Sequence, residues 1–139
     1  MLKQTITYTD YNGTERTEDF WFNLSKAELA EMELSVDGGF AEMAQRIATA
    51  KNGPELVKLF KDLILKSYGV RSLDGRQFVK IDNDGNRLSV GFSQTEAYSE
   101  LFMKLATNAD EAAKFFTGVI PSDLQKQVAE EMAKKGLPT

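Results

Sequence analysis

The chain has 139 residues, of which 42% are hydrophobic and 27% are charged, a composition typical of one globular domain. Its formal net charge of -4 argues against a general role in binding nucleic acid, because phosphate binding requires a basic surface. It contains no histidine and no cysteine, which excludes Ser-His-Asp and Cys-His catalytic sites, the common zinc sites and disulfides.

The sequence also lacks the apolar runs that mark membrane insertion. It has no continuous apolar stretch long enough to span a bilayer. The opening residues, MLKQTITYTD, contain no apolar core of the kind found in signal peptides. We therefore expect a protein that works in the cytoplasm.

The first predicted element is a β-hairpin over residues 2–24. Residues 2–9 alternate between two faces, and Tyr11-Asn12-Gly13 supplies the turn. A two-residue loop would place Ile6 opposite Asp19, whereas a three-residue loop with a left-handed Gly13 places Leu2 opposite Phe22. We favour the three-residue loop because it collects the apolar side chains on one face. These are Leu2, Ile6, Tyr8, Phe20, Phe22 and Leu24.

The same register turns Trp21 toward the opposite face of the hairpin. An exposed tryptophan is a candidate contact for a partner or another subunit. The alternative is that a helix of the same chain covers the ring.

Three helices are predicted to follow the hairpin. Ser25 and Glu28 form a capping box at the start of the first, which ends near Leu34. After a turn at residues 37–39, a second helix spans the region around Phe40 to Ile47. A third begins near Pro54 and ends with Gly69 as its C-terminal cap. Its broad apolar stripe consists of Leu56, Leu59, Phe60, Leu63, Ile64 and Tyr68.

The sequence pattern within residues 70–91 predicts a short second hairpin that spans residues 77–90. One strand covers residues 78–81, a turn covers 82–86, and a second strand covers 87–90. The acidic turn resembles a calcium loop. However, aligning Gly85 with the sixth loop position puts Lys80 first and Gly91 twelfth, so both essential carboxylates are missing. The segment is interpreted as a turn, without a metal.

Residues 92–106 form the next predicted helix, with Ser93 and Glu96 as its capping box. Asn108 with Glu111 repeats the capping pattern for another helix. The first stripe is Ala97, Tyr98, Leu101, Phe102 and Leu105, and the second is Ala112, Phe115, Phe116 and Val119. A final helix after Ser122 carries a narrow stripe that suggests docking to a partner, namely Leu124, Val128 and Met132.

These elements predict one α+β domain over residues 1–139. It comprises the β-hairpin 2–24 and a helical part 25–136, with the hairpin packed on a bundle of about six helices. The carboxylate pairs are predicted to lie on polar helix faces, where nothing in the pattern buries them; they are Glu31 with Glu33 and Glu130 with Glu131. We expect no catalytic, cofactor or metal site. The candidate partner-binding residues are Trp21, Leu124, Val128 and Met132.

Three stretches resemble one known family. They are FSQTEAYSELFMKLATNADEAAKFFTGVIP (residues 92–121), TITYTDYNGTERTEDFWFNLSKAELAEMELS (residues 5–35) and DGRQFVK (residues 74–80). These sequence motifs are similar to those of tail assembly chaperones from long-tailed phages and prophages of Gram-positive bacteria. Residues 81–91 depart from the family, where relatives have a shorter and more helical joint.

The resemblance implies an assembly factor rather than an enzyme. Such chaperones bind the tape measure protein, a long and largely helical chain, and keep it soluble while the tail tube polymerises around it. They are absent from the finished tail and act in the host bacterial cytoplasm. A frameshifted longer form contacts the tail tube protein in many phages. Self-association into rings or helical arrays is compatible with coating a long client.

A second interpretation comes from a different class of protein: a small regulatory or inhibitor module that binds one folded partner. The genomic setting and the client separate the two interpretations. An acidic domain with spare apolar surface suits the reversible covering of a client's apolar stripes, as the chaperone interpretation requires.

The pair Lys134-Lys135 permits a slippery run of adenines near the end of the gene. We expect codons such as AAA-AAG there if the longer form is made by frameshifting. Reading the gene checks this, and codons without a homopolymeric or repeated run would refute it.

Overall fold

The computed structural model of the chain describes residues 1–35 and 53–121. The α+β class is confirmed, but the hairpin belongs to a four-stranded sheet, and five helices lie in the described ranges. The predicted turn at 37–39, the helix around Phe40 to Ile47 and the final helix after Ser122 lie outside the described residues. The elements in chain order are β1 (Leu2–Thr9), β2 (Glu15–Phe22), α1 (Lys26–Ser35), α2 (Gly53–Ser67), β3 (Tyr68–Arg71), β4 (Phe78–Val79), α3 (Leu88–Ser93), α4 (Glu96–Thr107) and α5 (Ala109–Val119).

The hairpin adopts the predicted register. β1 and β2 pair antiparallel with Leu2 opposite Phe22. Gly13 has φ of 82°, the left-handed conformation that a three-residue loop requires. The predicted apolar face is confirmed, since its members are buried or pack against the core.

The sheet extends from β2 to β3 and β4, in the order β1-β2-β3-β4 with every pair antiparallel. This corrects the prediction that Gly69 caps a helix, because α2 ends at Ser67 and Gly69 lies inside β3. The Ser67 carbonyl accepts a hydrogen bond from the Asn23 N–H at 2.8 Å, and Tyr68 pairs with Phe22 in the sheet. Strand pairing therefore replaces the last turn of the predicted helix.

The predicted second hairpin over 77–90 is correct only in its first half. β4 is followed by a turn with Gly85 at φ 83° and by a single bridge between Ile81 and Arg87. Residues 88–93 then form α3 instead of a strand. One helical turn brings Ser89 and Phe92 to the same side, and both are buried, whereas an extended chain would separate them.

The capping box predicted at Ser93 and Glu96 is wrong. Ser93 is the last residue of α3, and its hydroxyl donates to the Val90 carbonyl. Thr95 caps α4 instead, with its hydroxyl oxygen accepting from the Tyr98 N–H at 3.2 Å. The predicted stripe is nevertheless confirmed: Ala97, Leu101 and Leu105 are buried, with Tyr98 and Phe102 half-buried.

Two other predicted caps are confirmed. The Ser25 N–H donates to Glu28 at 3.0 Å, and the Glu28 N–H donates to the Ser25 hydroxyl at 3.1 Å. Asn108 accepts from the N–H groups of Asp110 and Glu111. Both caps are local, so neighbouring residues suffice to form them.

The Phe92 ring lies at the centre of the aromatic core. It stacks on Tyr68 with the centroids 4.3 Å apart and the planes 4° from parallel. Phe20, Phe22 and Tyr98 surround it at 5.2, 5.8 and 5.8 Å. The rest of the buried core is Ile6, Leu24, Leu29, Phe60, Leu63, Ile64, Ala97, Leu101, Leu105, Ala112, Phe115, Phe116, Val119 and Ile120.

Gly69 is required by close packing. A Cβ at this position would lie 2.5 Å from the Phe78 ring and 2.8 Å from the Val79 carbonyl oxygen. We expect Gly69→Ala to lower the free energy of unfolding by about 2 kcal/mol, the cost of forcing an extra carbon into a packed site. Urea denaturation measures the change.

Gly91→Ala is the matched control, because a Cβ there meets nothing within 4 Å and lies within α3. Its effect should be neutral or stabilising by up to about 1 kcal/mol. Equal stability of the two variants would show that packing against Phe78 does not exclude a larger side chain at position 69.

Candidate binding surfaces

Trp21 lies on the sheet face opposite the core, as its position in the hairpin predicts. Its half-buried ring has the Lys3 Nζ 6.0 Å and the Arg71 Cζ 5.3 Å from the ring centroid. We call these three residues the Trp21 patch. Both cations are exposed, so each contact contributes roughly 0.5–1 kcal/mol.

The sheet register assembles this patch from three strands. Lys3 on β1 pairs directly with Trp21, and Trp21 also pairs with Gly69 on β3, two residues before Arg71. Residues two apart on a strand share a face, which brings Arg71 beside the ring. The sequence predicts the sheet face on which Trp21 lies. It does not predict that Lys3 and Arg71 flank the ring, because it does not predict that β3 pairs with β2.

A groove between α2 and α4 is a mainly apolar opening with a volume of about 320 Å³. Val57 and Met103 stand at its edges, with 47% and 56% of their surfaces exposed. Tyr98 and Phe102 are half-buried along it. The α2–α4 groove is lined by Val57, Lys61, Ser93, Tyr98, Ser99, Phe102 and Met103.

This groove has the chemistry of a helix-binding surface. Amphipathic helices dock their apolar faces into such grooves, and a methionine side chain adapts to irregular partners. Sequence reasoning assigned Tyr98 and Phe102 to the core and did not single out Met103. The available signal was the position of Met103 directly beside the apolar stripe of α4.

Lys80 is a partly buried charge at a structural junction. Lys80 Nζ donates to Glu28 Oε2 at 2.6 Å, to the Asn23 carbonyl at 2.7 Å and to the Lys66 carbonyl at 2.8 Å. These acceptors use all three protons of the ammonium group. Lys80 thereby joins the chain after β4 to the start of α1 and to the ends of β2 and α2.

Burial and hydrogen bonding act in opposite directions on this pair. Burial lowers the pKa of Lys80, and the Glu28 carboxylate offsets only part of that effect. Burial alone would raise the pKa of Glu28, but hydrogen bonds from Lys80 and Ser25 hold it below its usual value. The pair therefore serves to connect elements of the fold.

Within residues 1–35 and 53–121, no cluster of three or more acidic side chains could hold a metal ion. None of the helices in these ranges is long and apolar enough to cross a bilayer. The other predicted partner-binding residues, Leu124, Val128 and Met132, lie outside the described residues. The role of Trp21 in binding stays a prediction.

The fold and these surfaces define an α+β domain with an open apolar groove and an aromatic patch on its sheet. The model of one protein family, described as phage tail assembly chaperone, matches residues 1–138. The chain therefore belongs to the phage tail assembly chaperone family. Comparisons with curated proteins and with solved structures give no significant match.

Removing the charge of Glu28 tests the junction. Glu28→Gln retains an oxygen that can accept from Ser25 but removes the carboxylate opposite Lys80. We expect the free energy of unfolding to fall by about 1–2 kcal/mol at pH 7. Hydrogen bonds to charged groups contribute roughly 1.5–3 kcal/mol, and partial exposure of Glu28 reduces this.

The pH dependence gives the sign of the effect. Because folding lowers the pKa of Glu28, its stabilisation is complete above its ordinary pKa of 4.5 and is lost as the pH falls through the folded-state value. The stability difference between wild type and Glu28→Gln should shrink below pH 4.5 in urea titrations. Glu15→Gln, at an exposed position on β2, is the control. A difference that stays constant with pH would contradict the assignment.

Proposed function

We propose that this chain binds and solubilises the tape measure protein during phage tail assembly and does not remain in the mature tail. The family match over residues 1–138 carries the proposal. A tape measure chain is long and largely helical. Its exposed apolar stripes would aggregate unless another protein covers them until the tail tube encloses the chain. The chain would perform this role by binding alone, without catalysis or a cofactor, in the cytoplasm of the bacterial host.

The α2–α4 groove is the surface that best suits such a client. Its exposed Val57 and Met103 flank half-buried aromatic rings, so a helical segment could place successive apolar side chains along it. The groove is open, which supports reversible binding. A chaperone that leaves before the tail is complete needs that reversibility.

Trp21 and the final helix, with Leu124, Val128 and Met132, are proposed as further contacts. The Trp21 patch presents an aromatic ring between two cations on the far side of the sheet. Contacts of this kind would serve self-association along a long client. A longer frameshifted form is proposed to contact the tail tube protein through its extension.

Co-expression with the adjacent tape measure gene tests the function. We expect the tape measure protein to move from the insoluble to the soluble fraction when this chain is present. Met103→Glu should reduce the soluble amount severalfold, because burying a carboxylate against the client is unfavourable. A well-packed contact in such a groove is worth about 2 kcal/mol, which corresponds to roughly 30-fold in affinity.

Val90→Glu is the matched control. Val90 and Met103 are each 56% exposed, but Val90 lies on α3 and does not line the groove. Val90→Glu should solubilise the client as well as wild type does. If the tape measure protein is equally soluble without this chain, the chaperone function is wrong. If both variants behave alike, the groove is not the client surface.

A further inference from the structure

The outer edge of β1 has backbone groups that the hairpin does not use. The Asp10 N–H donates to the Thr14 carbonyl at 2.9 Å, which marks Asp10 and Thr14 as a hydrogen-bonded pair. Hydrogen-bonded and non-hydrogen-bonded pairs alternate along an antiparallel ladder. The N–H and C=O groups of every second residue therefore point away from β2. In β1 these residues are Lys3, Thr5, Thr7 and Thr9.

This edge lacks three of the devices that often protect one, namely short length, proline and a break in register. β1 is eight residues long, contains no proline and keeps a continuous register with β2. Lys3 is its single charged residue. By contrast, the opposite edge of the sheet is the two-residue strand β4. A long, regular edge rich in threonine is well suited to accept another strand.

A groove runs along the same edge. Its volume is about 180 Å³, and it is lined by residues 4–7 of β1 and by Glu100, Leu101 and Lys104 of α4. Successive side chains of a strand point to opposite faces, so a cavity touching four consecutive residues lies beside the edge. We call it the β1–α4 groove. A strand edge beside a helix is a geometry that takes an extended peptide.

The helical wall of this groove is acidic toward the hairpin turn. The Tyr11 hydroxyl donates to Glu96 at 2.8 Å, which places the start of α4 near the turn. Glu100 follows one helical turn later on the same side, where it lines the groove. Lys104, one turn further, lies 3.6 Å from Glu111, which offsets its charge. The groove is therefore complementary to a cation near Glu100.

We propose that the β1–α4 groove binds an extended segment of a partner protein that carries a basic residue. The segment adds to the sheet as a strand beside β1 and places its cation against Glu100. That the partner is the tape measure protein rests on the proposed function. The interaction is distinct from helix docking in the α2–α4 groove, because it uses backbone pairing and needs a non-helical stretch of the client.

Proline substitutions on the two sides of the hairpin test the backbone pairing. Thr7 and Thr17 face each other, and their hydroxyls share a 3.0 Å hydrogen bond. Neither N–H points toward the other strand, so Thr7→Pro and Thr17→Pro leave the β1–β2 ladder bonds intact. Only Thr7→Pro removes a donor from the outer edge of β1. Both variants lose the same hydroxyl contact. Thr7→Pro also restricts the backbone of buried Ile6, whereas Thr17→Pro restricts that of exposed Arg16, so the folding of both is checked.

The probe is an immobilised set of overlapping 15-residue peptides covering the tape measure protein. Wild type should bind a subset containing Lys or Arg. Thr7→Pro should weaken that binding at least tenfold, whereas Thr17→Pro should retain it. Glu100→Gln should weaken binding a few-fold and reduce its salt dependence. Urea denaturation of each variant verifies folding, and Glu100→Gln tests the groove even if a proline variant unfolds.

Several results would overturn the proposal. It fails if wild type binds no peptide, or if Thr7→Pro and Thr17→Pro bind equally. It also fails if ultracentrifugation shows that Thr7→Pro abolishes only self-association, since the occupant would then be a second copy. Co-expression separates this inference from the proposed function. A client that wild type solubilises, combined with equal peptide binding by Thr7→Pro and Thr17→Pro, refutes strand addition and leaves the chaperone function standing. A client that wild type fails to solubilise refutes the chaperone function.

Discussion

The packing of the Phe92 ring is the constraint on which the described structure depends. It stacks on Tyr68 at the start of β3 and contacts Phe22 on β2 and Tyr98 on α4. One side chain thus joins the sheet to two helices. The chain before it forms a helical turn, and the chain around Tyr68 becomes extended, because those conformations bring the rings together. Buried aromatic pairs add to area burial, so this arrangement outweighs local preferences.

The same packing explains why binding surfaces lie where they do. The apolar face of the hairpin is buried against the helices, which leaves Trp21 on the other face with Lys3 and Arg71. α4 buries its Leu101 side toward the core and leaves Met103 exposed. The result is a domain whose described part has apolar and backbone groups available at its periphery. Such a surface suits the proposed role of holding a long client and then releasing it.

Sequence reasoning succeeded where the determining contacts are close in the chain. The Ser25–Glu28 cap, the Asn108 cap and the left-handed Gly13 each depend on residues within about four positions. The apolar stripes of α4 and α5 also follow from spacing alone. It failed at residues 67–71 and 88–95, where the sequence predicts a helix cap at Gly69 and a helix start at Ser93. There the outcome depends on pairing with β2, more than 40 residues away.

By itself, the sequence determined the class of the domain, the register of the hairpin, the main apolar faces and a family resemblance that the match over residues 1–138 bears out. Only the tertiary structure decided that β3 and β4 extend the sheet and that residues 88–93 are helical. It also assembled the Trp21 patch and the two grooves from separate elements. The physical reason is the same throughout: local capping and periodicity act within a few residues, whereas strand pairing and ring packing join residues distant in the chain.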